Sequence, residues 1–157
     1  MLLPKPPDRS TAEAARLRFA AIGSFPRAAA NMNSVEDHEV YSAIGEAGFT
    51  RLISGFYRRV PQDDILGPMY GDHDLQAAEQ RLRDFLVFRF GGPARYVERR
   101  GHPRLRMRHA RFVIDQAARD RWLTLMTAAL DDARLPDEPK LRLRTFFADT
   151  TTFLINQ

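Results

Sequence analysis

The chain has 157 residues, enough for one domain with a substantial core. Its 44% hydrophobic and 28% charged residues match an ordinary globular protein, and the absence of cysteine excludes disulfides, thiolate metal sites, cysteine-held iron–sulfur clusters and cysteine nucleophiles. The formal net charge of +4 raises nucleic acid or an anionic membrane as partners, but much of the basic charge is local, in Arg99, Arg100, Arg104, Arg106, Arg108 and Arg111.

No uninterrupted apolar run approaches the roughly 20 residues of a membrane span. The opening Met1-Leu2-Leu3-Pro4-Lys5-Pro6-Pro7 is too rich in proline for the apolar region of a signal peptide. A cytoplasmic protein without a membrane partner is therefore expected. Residues 1–9 read as disordered. Ser10-Thr11-Ala12-Glu13 matches a capping box and predicts a short helix to about Ala21, ended by Gly23 and Pro26. Residues 1–34 thus form an extension, partly disordered, to a main domain over residues 35–157. Three readings of the extension stay open: a cover for a channel mouth, a homodimer contact, or an inert tail.

The main domain reads as all helix. Phe49, Leu52, Ile53, Phe56, Tyr57 and Val60 fall at helical spacing and make one amphipathic stripe, closed by Pro61. Tyr70 follows Gly67-Pro68-Met69 in what reads as a turn. A second helix begins near Asp74, with Ala78, Leu82, Phe85 and Leu86 inward, and stops at Gly91-Gly92-Pro93. The stretch Ala94–Arg104 is poorly periodic. After a short segment around His109, Asp115 caps a long helix carrying Ala118, Trp122, Leu125, Met126 and Ala129. Pro136 breaks it. Asp137 is the expected cap of a last helix, with Leu143, Phe146, Phe147, Thr150, Phe153 and Leu154 mostly inward. Nothing alternates with period two for long enough to make a sheet.

The stretch from Gly101 to Phe112 carries the most chemistry. Helical spacing puts Leu105, His109 and Phe112 on one face, and Arg104, Arg108 and Arg111 in a cationic row beside it. An inward imidazole next to guanidiniums suits a flat apolar cofactor with a metal centre and anionic edges. Haem is such a cofactor: its iron takes an axial histidine, and its propionates need cations. Iron coordination requires a neutral imidazole. His102 is the competing ligand, but Pro103 restricts its backbone, and it reads as structural. His38 and His73 read as surface or capping residues. No spacing of histidine and carboxylate suggests zinc.

The order of these features resembles the truncated haemoglobins of the second group. It runs from Phe56-Tyr57 through Tyr70 and Ala78-x-x-x-Leu82 to Gly91-Gly92-Pro93. Then come Gly101-His102-Pro103-Arg104-Leu105-Arg106-Met107-Arg108-His109 and Trp122. The resemblance covers roughly Val40 to the C-terminus. It implies a two-over-two helical sandwich around one haem b. It makes His109 the proximal iron ligand and places Tyr57, Tyr70 and Trp122 on the distal side. Ala78 falls where many globins carry a distal histidine, and Leu82 sits over the iron-bound ligand. Arg81 and Arg108 pair with propionates, Tyr96 is a helper, and Phe85, Leu105 and Phe112 contribute to the haem walls. One departure stands out: the family's aromatic pair before the glycine motif is here Arg89-Phe90.

The implied ligands are dioxygen, carbon monoxide, nitric oxide or peroxide. A phenol O–H or indole N–H aimed at the partly negative outer atom of dioxygen stabilises it by about 0.5–1.5 kcal/mol. Function then forks between oxygen binding, storage or transport and redox chemistry such as nitric oxide dioxygenation or peroxide reduction. The redox branch requires an external reductase. The alternative is a basic helical nucleic-acid or interaction module using Arg99–Arg111 on phosphates. It gives His109, Tyr57, Tyr70 and Trp122 no shared role, so no nucleic-acid partner is expected.

Overall fold

The computed structural model describes residues 36–71 and 73–157. The helix expected from Ser10 to about Ala21 lies outside the described residues. Among those residues there are seven α-helices and no strand: α1 (Val40–Arg59), α2 (Leu66–Tyr70), α3 (Leu75–Arg89), α4 (Arg95–Arg100), α5 (Leu105–His109), α6 (Gln116–Asp132) and α7 (Asp137–Leu154). Single 3-10 turns at Asp37–Glu39 and Val60–Gln62 flank α1.

Apolar stripes dictate how the four long helices meet. The stripe of α1 packs on α3 and on α6, while α7 packs on α6 and α1. The result is one pair of long helices laid on another. Phe49, Leu52, Ile53, Phe56, Leu86, Met126, Leu130 and Leu143 are removed from solvent at that junction. Each such side chain contributes about 1.5–3 kcal/mol.

The ends of the helices follow local chemistry. The carboxylates of Asp74 and Asp115 accept the amides of Ala77 and Ala118, as capping residues do. The last helix differs from expectation. Pro136 occupies its cap position without a side-chain bond, and Asp137 is its first residue, where a carboxylate favours the helix dipole. Helix α1 starts nine residues before the stripe that announced it. The added turns are kinked at Gly45 (φ 62°, ψ −178°), which breaks the helical period. Phe153, expected inward, is 47% exposed and lies under the Arg106 guanidinium, 5.1 Å from its ring centre.

The glycine motif ends α3 by letting another segment come close. Gly91 has φ 98°, and a Cβ there would meet the His38 carbonyl oxygen at 1.8 Å. The Tyr41 amide donates to the Phe90 carbonyl at 2.9 Å across this junction. Arg89, which stands in place of an aromatic, uses its guanidinium in the same space. It lies 5.3 and 5.1 Å from the ring centres of Phe90 and Phe146 and pairs with Asp37 at 2.8 Å. A cation over two rings thus fills the position of the missing ring.

Candidate functional site

A five-residue helix cannot hold itself in place, so α5 is fixed from both sides. Before it, Arg108 Nε donates to the Pro103 carbonyl at 2.7 Å, and its Nη2 donates to those of Arg100 at 2.8 Å and His102 at 3.5 Å. After it, Asn156 clasps the chain. Its Nδ2 donates to the Phe112 carbonyl at 2.9 Å, and its Oδ1 accepts the Ile114 amide at 3.0 Å.

Between these anchors stands His109, half-buried, with its ring 6.4 Å from that of Phe112. Its Nδ1 lies 2.7 Å from the Leu105 carbonyl oxygen. A carbonyl only accepts, so Nδ1 carries a proton, and in the neutral ring that places the lone pair on Nε2. This is the tautomer that a metal-ligating imidazole needs. His102 is exposed, and its Nδ1 accepts the Arg104 amide at 3.2 Å. Among the described residues no group of three or more histidines and carboxylates forms a metal cage.

A second cluster gathers side chains from three helices. Tyr57 comes from α1, Tyr70 from α2 and Trp122 from α6. The Tyr57 and Tyr70 rings meet edge to face, 5.8 Å apart at 89°. Trp122 sits between Phe56 and Phe147, at 5.0 and 5.4 Å. Burial, and next to it Tyr70 itself, push the Tyr57 phenol far above its ordinary 10.0. Burial also raises Tyr70, against the lowering effect of the neighbouring Tyr57 and Trp122. Two phenol O–H groups and one indole N–H are thus gathered in one aromatic cluster; the indole only donates, and each phenol can donate or accept.

The third part is a cleft of about 290 Å³ between α3 and α4. Arg81, Tyr96, Arg99 and Arg100 line it, with Ala77, Gln80 and Asp84. Tyr96 is buried edge-on against Phe85, with ring centres 5.5 Å apart. Asp84 is buried too, and its charge is matched by Arg95 at 3.6 Å and Arg99 at 3.5 Å. Ala78, Leu82 and Phe85 share one face of α3 by spacing, with Ala78 and Phe85 buried and Leu82 half-buried.

The sequence-predicted residues thus fall into three groups. Tyr57, Tyr70 and Trp122 are in one aromatic cluster. Arg81 and Tyr96 share the cleft, and Arg81 is close enough to Tyr57 to act on its charge. His109, Leu105 and Phe112 belong to the α5 region. Arg108 belongs there as well, holding backbone carbonyls. Arg99 and Arg100, read from the sequence only as part of a basic run, also line the cleft. Their place depends on α4, which the weak periodicity of Ala94–Arg104 did not announce. Tyr70, read as lying in a turn, ends a short helix.

These residues fit a haem: an imidazole held through Nδ1 with Nε2 left for a metal, aromatic and aliphatic walls, and a cleft rimmed by guanidiniums. Comparisons with known proteins agree. Residues 39–155 match the family model of the bacterial-like globins. A group 2 truncated haemoglobin of Lotus japonicus is 35% identical over 128 residues, covering 80% of this chain and 76% of its own. The solved haemoglobin of Thermobifida fusca is 48% identical with a TM-score of 0.72, over 74% of this chain and 96% of its own. The group II truncated haemoglobin of Bacillus anthracis is 32% identical with a TM-score of 0.72, over 75% and 91%. The chain therefore belongs to the group II truncated haemoglobins of the bacterial-like globin family, with haem as its cofactor and gas binding as its function.

Proposed function

We propose that this globin holds dioxygen tightly at a haem bound through His109 Nε2, with Tyr57, Tyr70 and Trp122 as the donor network on the opposite face. Haem supplies an iron that takes a diatomic gas. The protein supplies everything that decides how long the gas stays. The carrying observation is that Tyr57, Tyr70 and Trp122, from three different helices, come together in one aromatic cluster. It gathers two phenol O–H groups and one indole N–H, the donors that a bound gas can use.

Aromatic packing holds all three rings before any ligand arrives. Donation from Tyr70 therefore carries little ordering cost. With Ala78 small and apolar on α3, the polar contact falls to these three side chains. Arg81 and Tyr96 in the cleft would hold the propionates, Arg108 would add positive charge beside α5, and Leu82, Phe85, Leu105 and Phe112 would supply apolar wall. A solved Bacillus subtilis relative, 35% identical, is described as oxygen-avid, which accords with this reading. The same donors suit peroxide or nitric oxide chemistry when a separate reductase delivers electrons.

The test is the oxygen dissociation rate by stopped flow. Tyr70→Phe and Trp122→Phe are each expected to raise it by at least about fivefold, the worth of one hydrogen bond. Unchanged rates in both variants would remove the network from ligand binding.

A further inference from the structure

The short helix α2 carries Tyr70, and its placement against α6 decides whether Tyr70 meets Trp122. One buried carboxylate spans that junction. The Asp63 side chain is 5% exposed, and both of its oxygens are engaged. Oδ1 accepts the amides of Ile65 at 3.0 Å and Leu66 at 2.8 Å, which shapes the entry to α2. Oδ2 accepts from Arg121 Nη1 at 2.7 Å. Arg121 stands on α6 immediately before Trp122. The same nitrogen also reaches Asp64 at 2.7 Å, but Asp64 is 80% exposed, where a pair contributes little.

We propose that Asp63 and Arg121 are positioning residues for the distal network. The pair ties the start of the tyrosine-bearing helix to the tryptophan-bearing one, and so sets how Tyr70 sits relative to Trp122. Two other contacts seat α2. Leu66 is buried, and Gly67 lies close on the Val60 and Pro61 carbonyls. Both fix α2 against the end of α1. Asp63–Arg121 fixes it against α6, the direction that matters for Trp122. Asp63 is suited to the task. Burial opposes its charge, but the amides of Leu66 and Ile65 and the Arg121 guanidinium outweigh burial and hold the carboxyl below its usual range.

This inference rests on the donor role of Tyr70 and Trp122 proposed above, and the experiment separates the two. The chain has one tryptophan, so ultraviolet resonance Raman of the haem-loaded protein reads the Trp122 N–H alone. Arg121→Met and Asp63→Asn are expected to shift its hydrogen-bond-sensitive band towards that of a free indole. They are also expected to raise the stretching frequency of bound carbon monoxide and to speed oxygen release by about threefold to tenfold, within the range of one weakened hydrogen bond. Arg121→Lys keeps the charge and is expected to recover most of each signal. The proposal is overturned if Arg121→Met and Asp63→Asn bind haem normally and keep all three readouts while Trp122→Phe changes the latter two. If Trp122→Phe also leaves carbon monoxide and oxygen unaffected, the clamp proposal fails; if Tyr70→Phe does so too, the donor reading fails with it.

Discussion

Replacing Gly91 with alanine tests the packing that ends α3 and hence the frame of the site. At φ 98° an L-residue carries backbone strain of about 1–3 kcal/mol. The new Cβ would lie 1.8 Å from the His38 carbonyl oxygen, against 3.4 Å for an ordinary contact. That oxygen is backbone, so the whole turn before α1 must move, at an overpacking cost of about 1–3 kcal/mol. The Tyr41 amide bond to Phe90 is strained with it, a further ~1 kcal/mol. The stiffer unfolded chain returns about 0.4–1 kcal/mol. The net expectation is about 4 kcal/mol, a large share of the ~5–15 kcal/mol that stabilises a domain. Gly45 is the internal control: φ is also positive, at 62°, but a Cβ there meets nothing within 4 Å. Gly45→Ala therefore pays strain alone and is expected to cost about 1–2 kcal/mol. Urea unfolding followed by circular dichroism gives both values at unchanged slope. If Gly91→Ala is no more destabilising than Gly45→Ala, close approach is not what the glycine motif provides.

The remaining predictions concern the site. His109→Ala is expected to lower haem affinity at least about 100-fold, read by haem titration of the purified protein, because the axial ligand itself is lost. Full haem content with an unchanged spectrum would mean that another residue is the ligand. Tyr57 and Tyr70 are both raised, so their contribution to stability is complete below the unfolded value near 10.0 and is lost only as pH climbs from there towards the folded values. An ultraviolet titration of the native protein should therefore show at most two of the four tyrosines ionising before unfolding; a third would contradict the burial of the network. Asp63 is lowered, so its contribution is present above the unfolded value near 3.8 and is lost as pH falls through its folded value. Asp63→Asn should flatten the acid-unfolding curve in that range, and an unchanged curve would show that the pair adds nothing to the fold.

The long helices were legible because burial imposes a period on their sequence. The stripe from Phe49 to Val60 and the capping carboxylates Asp74 and Asp115 announced three of the four. The short helices were not, for a physical reason. In α2 and α4 one or two turns are too few to show a period, and their conformation comes from tertiary bonds. Asp63 organises the entry to α2, and Asp84 engages Arg95 and Arg99 of α4. The arginine row likewise looked uniform in the sequence, where all guanidiniums read alike. In the fold Arg108 holds loop carbonyls, Arg106 and Arg111 lie over Phe153 and Phe112, and Arg99 reaches a buried carboxylate. The histidine motif was readable because its chemistry is local: Leu105 and His109 are four residues apart, the spacing that brings Nδ1 to a carbonyl of the same helix. The Asp63–Arg121 pair joins positions 58 residues apart, and no local pattern announces such a contact.

The most direct test of a His109-held haem with an accessible opposite face is an absorption spectrum of the purified protein, reduced with dithionite and then exposed to carbon monoxide. A strong Soret band that shifts on adding the gas is the expected result. A colourless protein that also fails to take up added haem would contradict the account.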